Sequence, residues 1–373
     1  MRGAIASLDW VLVLAVALCT VFSVYVIAET TRNDVAGDPR FFVDRQLLFI
    51  AVGVVLMVVA ARLNLERLTR WSWALWGGLL GALAVVYVVG EAAKGSNRWI
   101  DIGPFNLQPS EFGKVVMMIV LAGLAIERLD AVESPRFTLF LAAVIGLPAV
   151  VVFLQPDLGT SLVYAAILGV VLFLVGVPWS HFAVIGSLLA ILVLGVLWIL
   201  PHAGVHVLDD YQVQRLTAFI GAERDTSDAG YQLDQSTTAI GSGGALGKGP
   251  DGATQAQNNF IPEHHTDFIF AATGEMFGFA GGALLILLYA VILWRGLRTM
   301  ARASSQVDMI VAGAVLAMFA FQVFVNIGMT VGIMPITGIP LPLMSYGGSH
   351  TLTTFVAIGL LLGIYRRRSA IPG

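Results

Sequence analysis

The sequence predicts an all-α integral membrane protein, a polytopic bundle of about ten transmembrane helices with a long extracytoplasmic loop between spans seven and eight. Three observations predict it. The 373 residues are 57% hydrophobic and 12% charged, whereas a soluble domain carries about 25% charged residues. Apolar runs of about 20 residues, each long enough to cross a hydrocarbon core, recur along the whole chain. One stretch, 202–267, interrupts them with Gly, Asp, Gln and Thr. Backbone groups in lipid must be satisfied internally, so the runs are helices rather than loops. A β-barrel would show period-two alternation in segments of about 10 residues, and the blocks here are continuously apolar.

The spans fall near 9–29, 45–61, 72–90, 111–127, 138–154, 160–177, 182–201, 268–293, 307–333 and 351–365, in a single membrane domain covering 1–373. The first follows Arg2 and has the look of a signal peptide, but the many later spans favour an uncleaved helix. Cys19 lies within it and is the one cysteine, so no intramolecular disulfide is possible. Basic residues set the orientation. Arg62, Arg67, Arg70, Arg128, Arg136, Arg295, Arg298, Arg302 and the tail Arg366, Arg367 and Arg368 share one side if the N-terminus is cytoplasmic. The acids Asp34, Asp38, Asp44, Asp101, Asp157, Asp209, Asp210, Asp225, Asp228, Asp251 and Glu263 land on the other. Both termini are therefore expected in the cytoplasm. The net charge of -3 carries no basic footprint for nucleic acid. No internal repeat is evident, which leaves the inverted-repeat pattern of many transporters unsupported.

The polar motifs gather on the outer side. They are NRWIDIG, QPSEFGK, QPDLGT, DYQVQR, AIGSGGALGKG, PEHHTD and SYGGS. The Pro- and Gly-rich stretch 334–350 cannot be a plain helix, and irregular backbone at membrane depth belongs where it is buried in protein or lines a cavity. A cleft built from these loops would hold Arg98, Lys114, Arg215 and Lys248 as cations, and Glu111, Asp157, Glu263 and Asp267 as acids. Cations in a cleft suit a phosphate-bearing substrate. An acid at a partly desolvated site can act as a general base.

Each group also has a plainer reading. Glu111 and Lys114 stand three apart and can simply pair, although ionic groups inside a membrane are functional candidates by default. Asp157 fits an N-cap better than a catalyst. His264 and His265 invite a metal, but adjacent residues do not share a helix face, and no further histidine is close in sequence. GSGGALGKG lacks the spacing of a phosphate loop. Asp267 is harder to explain away. Apolar FIFA follows it directly, and capping accounts for one acid but not for the whole PEHHTD cluster.

RWIDIG, QPSEFGK, QPDLGT, IGSGG with GKG, FIPEHHTDFIF and TGIPLPLMSYGGS occur here in the order found in the SEDS family (shape, elongation, division and sporulation), which the chain resembles over nearly all spans. The segment GATQAQNNF, with Thr254, Gln255 and Gln257, resembles the RodA branch. The resemblance implies a bacterial inner-membrane glycosyltransferase for cell elongation and rod shape, with its site facing outside. It would polymerise lipid II, transferring the lipid-linked glycan to the GlcNAc 4-hydroxyl of an incoming lipid II and releasing undecaprenyl pyrophosphate. Converting an α-linked pyrophosphate into a β-1,4 bond inverts the centre, as an inverting glycosidase does with water. Asp267 occupies the family's catalytic acid position. Glu111 and Lys114 match positions important for activity. Arg98, Lys114, Arg215 and Lys248 become candidates for the pyrophosphate, and Glu263, His265, Thr266 and Ser345 complete the expected substrate-binding set. One departure is visible: where the family pairs two acids after FIFA, Glu275 is followed by Met276.

The implied partners are a class B penicillin-binding protein, other proteins of the elongation machinery and membrane lipids. A divalent cation, Mg or Mn, would assist the leaving pyrophosphate, with ligands unassigned and no organic cofactor. Small residues Gly313, Ala314, Ala317, Ala320, Gly328 and Gly332 make the ninth span the expected docking face for a partner helix. The rival readings are a lipid II flippase and a non-catalytic scaffold, neither of which needs a base at Asp267.

Overall fold

The computed structural model describes residues 8–89, 91–93, 96–103, 105–195, 199, 228–257, 260–261 and 263–368. Its helices are α1 (Trp10–Thr30), α2 (Phe41–Ala60), α3 (Leu65–Thr69), α4 (Ser72–Val89), α5 (Pro109–Ile126), α6 (Pro135–Leu154), α7 (Leu158–Leu174), α8 (Trp179–Leu194), α9 (Asp228–Gly243), α10 (Thr254–Gln257), α11 (Ile269–Ala301), α12 (Gln306–Thr330) and α13 (Gly348–Arg368). Seven of them are long and apolar enough to cross a membrane, and three shorter apolar helices lie in α4, α7 and α8. Each of the ten expected spans overlaps one of these apolar helices, seven of them of membrane-crossing length.

The helix starts follow local chemistry. Asp9, Ser134, Asp157 and Ser305 each accept a backbone N–H of the first turn, and proline opens α5 and α6 where no N–H is needed. Packing then sorts the helices. α5 and α13 are buried along most of their length, whereas α1 and α2 turn Leu14, Val21, Val55 and Val59 outward. The outer surface remains apolar because lipid replaces water there, which removes the two-faced pattern of a soluble helix. α2 lies along α13, and any Cβ at Gly359 or Gly363 would meet the Met57 or Ala61 carbonyl. Small residues let the two backbones approach.

The ends of the bundle separate by charge. At one end Arg295 binds Asp9 at 2.8 Å, and Arg367 binds Asp308 at 2.7 Å and the Leu63 carbonyl at 2.9 Å. Among the described residues, the motif-bearing connections gather at the other end, linked through Ser349 to Gln108 and Asn106 and through Tyr346 to His265, while DYQVQR lies outside the described residues.

Three expectations need correction. The stretch 202–267 is not a plain loop, because within it α9 packs against α11 and α10 follows. NRWIDIG is not a loop either. It forms β2 (Ser96–Ile102) of a three-stranded antiparallel sheet with β1 (Glu91–Ala93) and β3 (Phe105–Leu107). Ile102 pairs with Phe105, and Gly103, next to Ile102, takes φ 68°. The ninth span, α12, divides its small residues: Gly313 abuts Leu174 and Met300, and Ala314 and Gly328 are buried, so these three are spent inside the bundle, whereas Ala320 is exposed and Ala317 and Gly332 are half-buried.

The eighth span is broken at Gly278 (φ 63°, ψ -159°), which divides α11 into 269–277 and 279–301. Backbone groups freed by such a break must find partners, and the glycine-rich segment after α9 supplies them. Phe279 and Ala280 N–H donate to Gly244 and Ala245 carbonyls, and Lys248 and Gly249 N–H donate to Glu275 and Met276 carbonyls, all at 2.9–3.0 Å. A Cβ at Gly278 would meet Gly247 N. The glycines of GSGGALGKG therefore serve close backbone packing.

Candidate active site

Asp267 sits on a short strap of turns, 263–268, that precedes α11. Glu263 opens the strap at φ 58°, a conformation a non-glycine residue holds only when its surroundings enforce it. Its carbonyl accepts Thr266 and Phe268 N–H, and its carboxylate accepts the Thr266 hydroxyl at 2.9 Å. Three outside bonds fix the strap. Tyr346 N–H donates to the His265 carbonyl at 2.9 Å, Ser345 Oγ to the Thr266 carbonyl at 2.6 Å, and Asn326 Nδ2 to the Asp267 carbonyl at 2.8 Å. Phe268 and Ile269, which follow Asp267, are buried, whereas the Asp267 side chain is half-buried. Its carboxylate thus stands at the border between packed protein and the outside of the bundle.

The irregular stretch after α12 is the other wall. Its backbone is buried at Ile339, Leu341 and Met344, and side chains from three helices satisfy it. Asn326 Nδ2 donates to the Ile339 carbonyl, Tyr289 Oη to Pro342 and Ser23 Oγ to Met344. Asn326 thus bonds both this wall and the strap, which Ser345 and Tyr346 of the wall also join directly. Ser345 Oγ also accepts Leu341 N–H at 2.7 Å and is 1% exposed. Its hydroxyl is committed on both sides, which corrects the expectation of a substrate contact to one of positioning. Tyr346 packs on His265 and Phe42. Burial holds its hydroxyl above the ordinary phenol range, against the pull of Arg45.

A second cluster lies at the start of α5. Lys114 Nζ is 2.6 Å from Glu111 Oε1, and His350 Nδ1, from the first turn of α13, is 3.4 Å from Glu111 Oε2. Lys114 and Glu111 are 1% and 3% exposed. The plain i,i+3 pairing is therefore real, but the pair is buried and tied to a third helix. Asp157 is an N-cap as expected, accepting Thr160 N–H at 3.1 Å, and it also accepts Gln108 Nε2 at 2.7 Å. Lys248 lies 3.5 Å from Glu275, which is fully buried and accepts Gln255 and Ala256 N–H. The lone acid after FIFA is accordingly an anchor that draws α10 and Lys248 onto α11. Arg98 is carried on β2 with its side chain outside the described residues, and Arg215 lies outside them altogether.

The structure thus brings Glu263, His265, Thr266, Asp267 and Ser345 together and places Glu111 with Lys114 in a separate buried pair. Sequence reasoning missed His350, Asn326 and Asp34. A polar residue among apolar neighbours marks Asn326, whereas His350 lies among Gly, Ser and Thr with no such signal. Asp34 comes from the α1–α2 connection, and its carboxylate approaches His264 Nε2 at 3.2 Å.

Comparison with known proteins agrees with this architecture. The FtsW/RodA/SpoVE family, described as cell cycle proteins, matches residues 6–370. Peptidoglycan glycosyltransferase MrdB of Escherichia coli K12 is 36% identical over 364 residues, covering 98% of this chain and 95% of that protein. Stage V sporulation protein E of Bacillus subtilis is 34% identical, covering 95% and 94%. Among solved structures, a chain of a peptidoglycan synthase complex studied for its coordination of polymerization and crosslinking superposes with a TM-score of 0.78 at 31% identity, covering 98% of this chain and 99% of that one. The rod shape determining protein RodA of Thermus thermophilus gives 0.69 at 28% identity, covering 98% of each. Matched by its family over almost every residue and by these relatives from end to end, the chain belongs to the FtsW/RodA/SpoVE family.

Proposed function

We propose that the chain is a RodA-type peptidoglycan glycosyltransferase in which Asp267 is the general base. Relatives named peptidoglycan glycosyltransferases support the reaction class. The observation that carries the residue assignment is burial. Glu111, Asp157 and Glu275 are at most 6% exposed and are engaged by a lysine and a histidine, by a helix start, and by two backbone N–H groups with Lys248. Asp267 is half-buried, on a strap fixed by three bonds to its carbonyls. A base must be fixed and still reachable.

In the proposed step the Asp267 carboxylate takes the proton of the GlcNAc 4-hydroxyl on an incoming lipid II. The oxygen attacks the anomeric carbon of the lipid-linked glycan from the face opposite the pyrophosphate. The carbon–oxygen bond to pyrophosphate breaks, and undecaprenyl pyrophosphate leaves with the electron pair. No covalent intermediate is needed, because one displacement gives inversion. Half-burial serves this chemistry, since partial desolvation raises the basicity of a carboxylate. The membrane position serves it too: a lipid anchor holds the substrate's sugars just beyond the hydrocarbon.

The divalent cation expected at the pyrophosphate finds little support among the described residues. The one gathering of metal-type ligand atoms there is Asp34 with His264 and His265, and two imidazoles do not suit Mg²⁺ or Mn²⁺, which take oxygen ligands. No step is routed through an ion. The proposed orientation, with both termini cytoplasmic and the strap outside, rests on the separation of Arg295 and Arg367 from the motif end. A class B penicillin-binding protein is the proposed partner, on the likeness to a peptidoglycan synthase complex. Purified chain supplied with lipid II, with that partner present, should make glycan polymer. Lipid II transport without polymer would support the flippase reading, and neither activity would support the scaffold.

A further inference from the structure

We propose that Asp34, His264 and His265 form a three-ligand site for a zinc-class divalent ion, which clamps the α1–α2 connection to the strap that carries Asp267. Each residue offers one ligand atom, and the three atoms lie within 4.8 Å of one another. Adjacent histidines cannot share a metal from one helix face, but this backbone is a series of turns, with the two rings 5.0 Å apart and nearly perpendicular.

The proton positions call for a cation at this spot. His264 Nδ1 is 3.2 Å from the Ile261 carbonyl. A carbonyl only accepts, so Nδ1 carries the hydrogen and donates it. That bond fixes the tautomer in the way outer partners fix metal-binding histidines. The opposite nitrogen, Nε2, then faces Asp34 Oδ2 at 3.2 Å. A neutral ring would oppose two lone pairs there, with His264 only 3% exposed. A positive charge between them removes the conflict. A second proton on His264 would serve this one contact, whereas a metal ion would also engage the ligand atom of His265. A metal ion uses all three. The 3.2 Å separation is also close to the roughly 3.3 Å between ligands of a tetrahedral zinc with bonds of about 2.0–2.1 Å. Two nitrogens and a carboxylate oxygen suit zinc, and three protein ligands leave a fourth position for water.

Phe42 and Tyr346 wall His265, with ring centroids 4.6 and 5.5 Å away. The ion would sit two to three residues before Asp267, joining a connection that already meets α10's neighbourhood through Arg32 and Asp251 at 3.3 Å. Its occupancy does not depend on what Asp267 does, so metal content can fail or succeed independently of polymerisation.

The test uses full-length chain without a histidine tag, purified in detergent, stripped with chelator and titrated with Co²⁺. Wild type should develop the visible absorption of a tetrahedral cobalt site and lose it on adding about one equivalent of Zn²⁺, as a three-ligand N/O site completed by water predicts. After zinc loading and gel filtration, elemental analysis should find about one zinc per chain. Asp34→Asn and His264→Gln should each weaken binding more than about tenfold, because even outer partners of a metal ligand are worth that much. A wild type that gains no cobalt bands and retains no zinc overturns the proposal. So do variants that hold zinc as tightly as wild type. The cobalt spectrum is read on wild type alone, so the proposal remains refutable even if a variant does not fold.

Discussion

Replacing Lys114 with methionine keeps the length of the side chain and removes its charge. Glu111 would remain 3% exposed at the start of α5, its ammonium partner at 2.6 Å gone, with His350 at 3.4 Å as the remaining donor. Removing one member of a buried pair costs about 3–5 kcal/mol, because the surviving charge is left uncompensated. Replacing both by neutral groups of similar size is often close to neutral. Glu111→Gln with Lys114→Met should therefore be more stable than Lys114→Met alone. SDS-driven unfolding in mixed micelles, followed by tryptophan fluorescence, measures the difference, and the four proteins of the cycle isolate the pair. Equal unfolding midpoints for Lys114→Met and wild type would refute the reasoning. If activity then fell with stability unchanged, Lys114 would be a substrate group.

Other consequences can be checked in the same preparations. Gly278→Ala combines a positive φ with a collision at Gly247 N. It should separate the glycine-rich segment from α11 and expose 244–249 to protease, while uncleaved Gly278→Ala would show that the kink tolerates a side chain. Asn326→Leu strands the Asp267 and Ile339 carbonyls, at about 1–3 kcal/mol each if both stay buried. Its turnover should fall with little change in KM, and unchanged turnover would mean the strap holds without it. In a Cys19→Ala background, Asp251→Cys, at a side chain 89% exposed, should label from outside intact cells and Ser304→Cys should not. The reverse result would invert the proposed topology.

The spans were legible because each is a continuous apolar run, and lipid leaves the backbone no alternative to helix. Asp157 was legible as a cap because capping is a local bond. What escaped depends on partners distant in sequence. Nothing near Gly278 shows that α11 breaks, because the segment that satisfies the break lies about 30 residues earlier and is recognised only by its packing. The small residues of α12 mark close approach but do not say whether the neighbour is inside or outside, and Gly313 meets Leu174 and Met300 within the bundle. His264 had no visible ligand partner because Asp34 is 230 positions away. The strand pairing of β2 was hidden because Ser96–Ile102 is short and lies between apolar blocks. Asp267 itself was conspicuous in sequence as an acid followed by FIFA. Its discrimination from Glu111, Asp157 and Glu275 needed burial, which is a tertiary property.

The central claim is that the Asp267 carboxylate removes a proton during glycan transfer. The most direct measurement compares wild type and Asp267→Asn, each purified with the partner transpeptidase and supplied with lipid II. Asparagine is nearly isosteric, and Tyr346, Ser345 and Asn326 hold the strap by the carbonyls of 265, 266 and 267. Elution volume and unfolding midpoint should therefore match wild type. The rate of polymer formation should fall about 10²–10⁴-fold, the usual worth of a general base. Polymer made by folded Asp267→Asn at close to the wild-type rate would contradict the account.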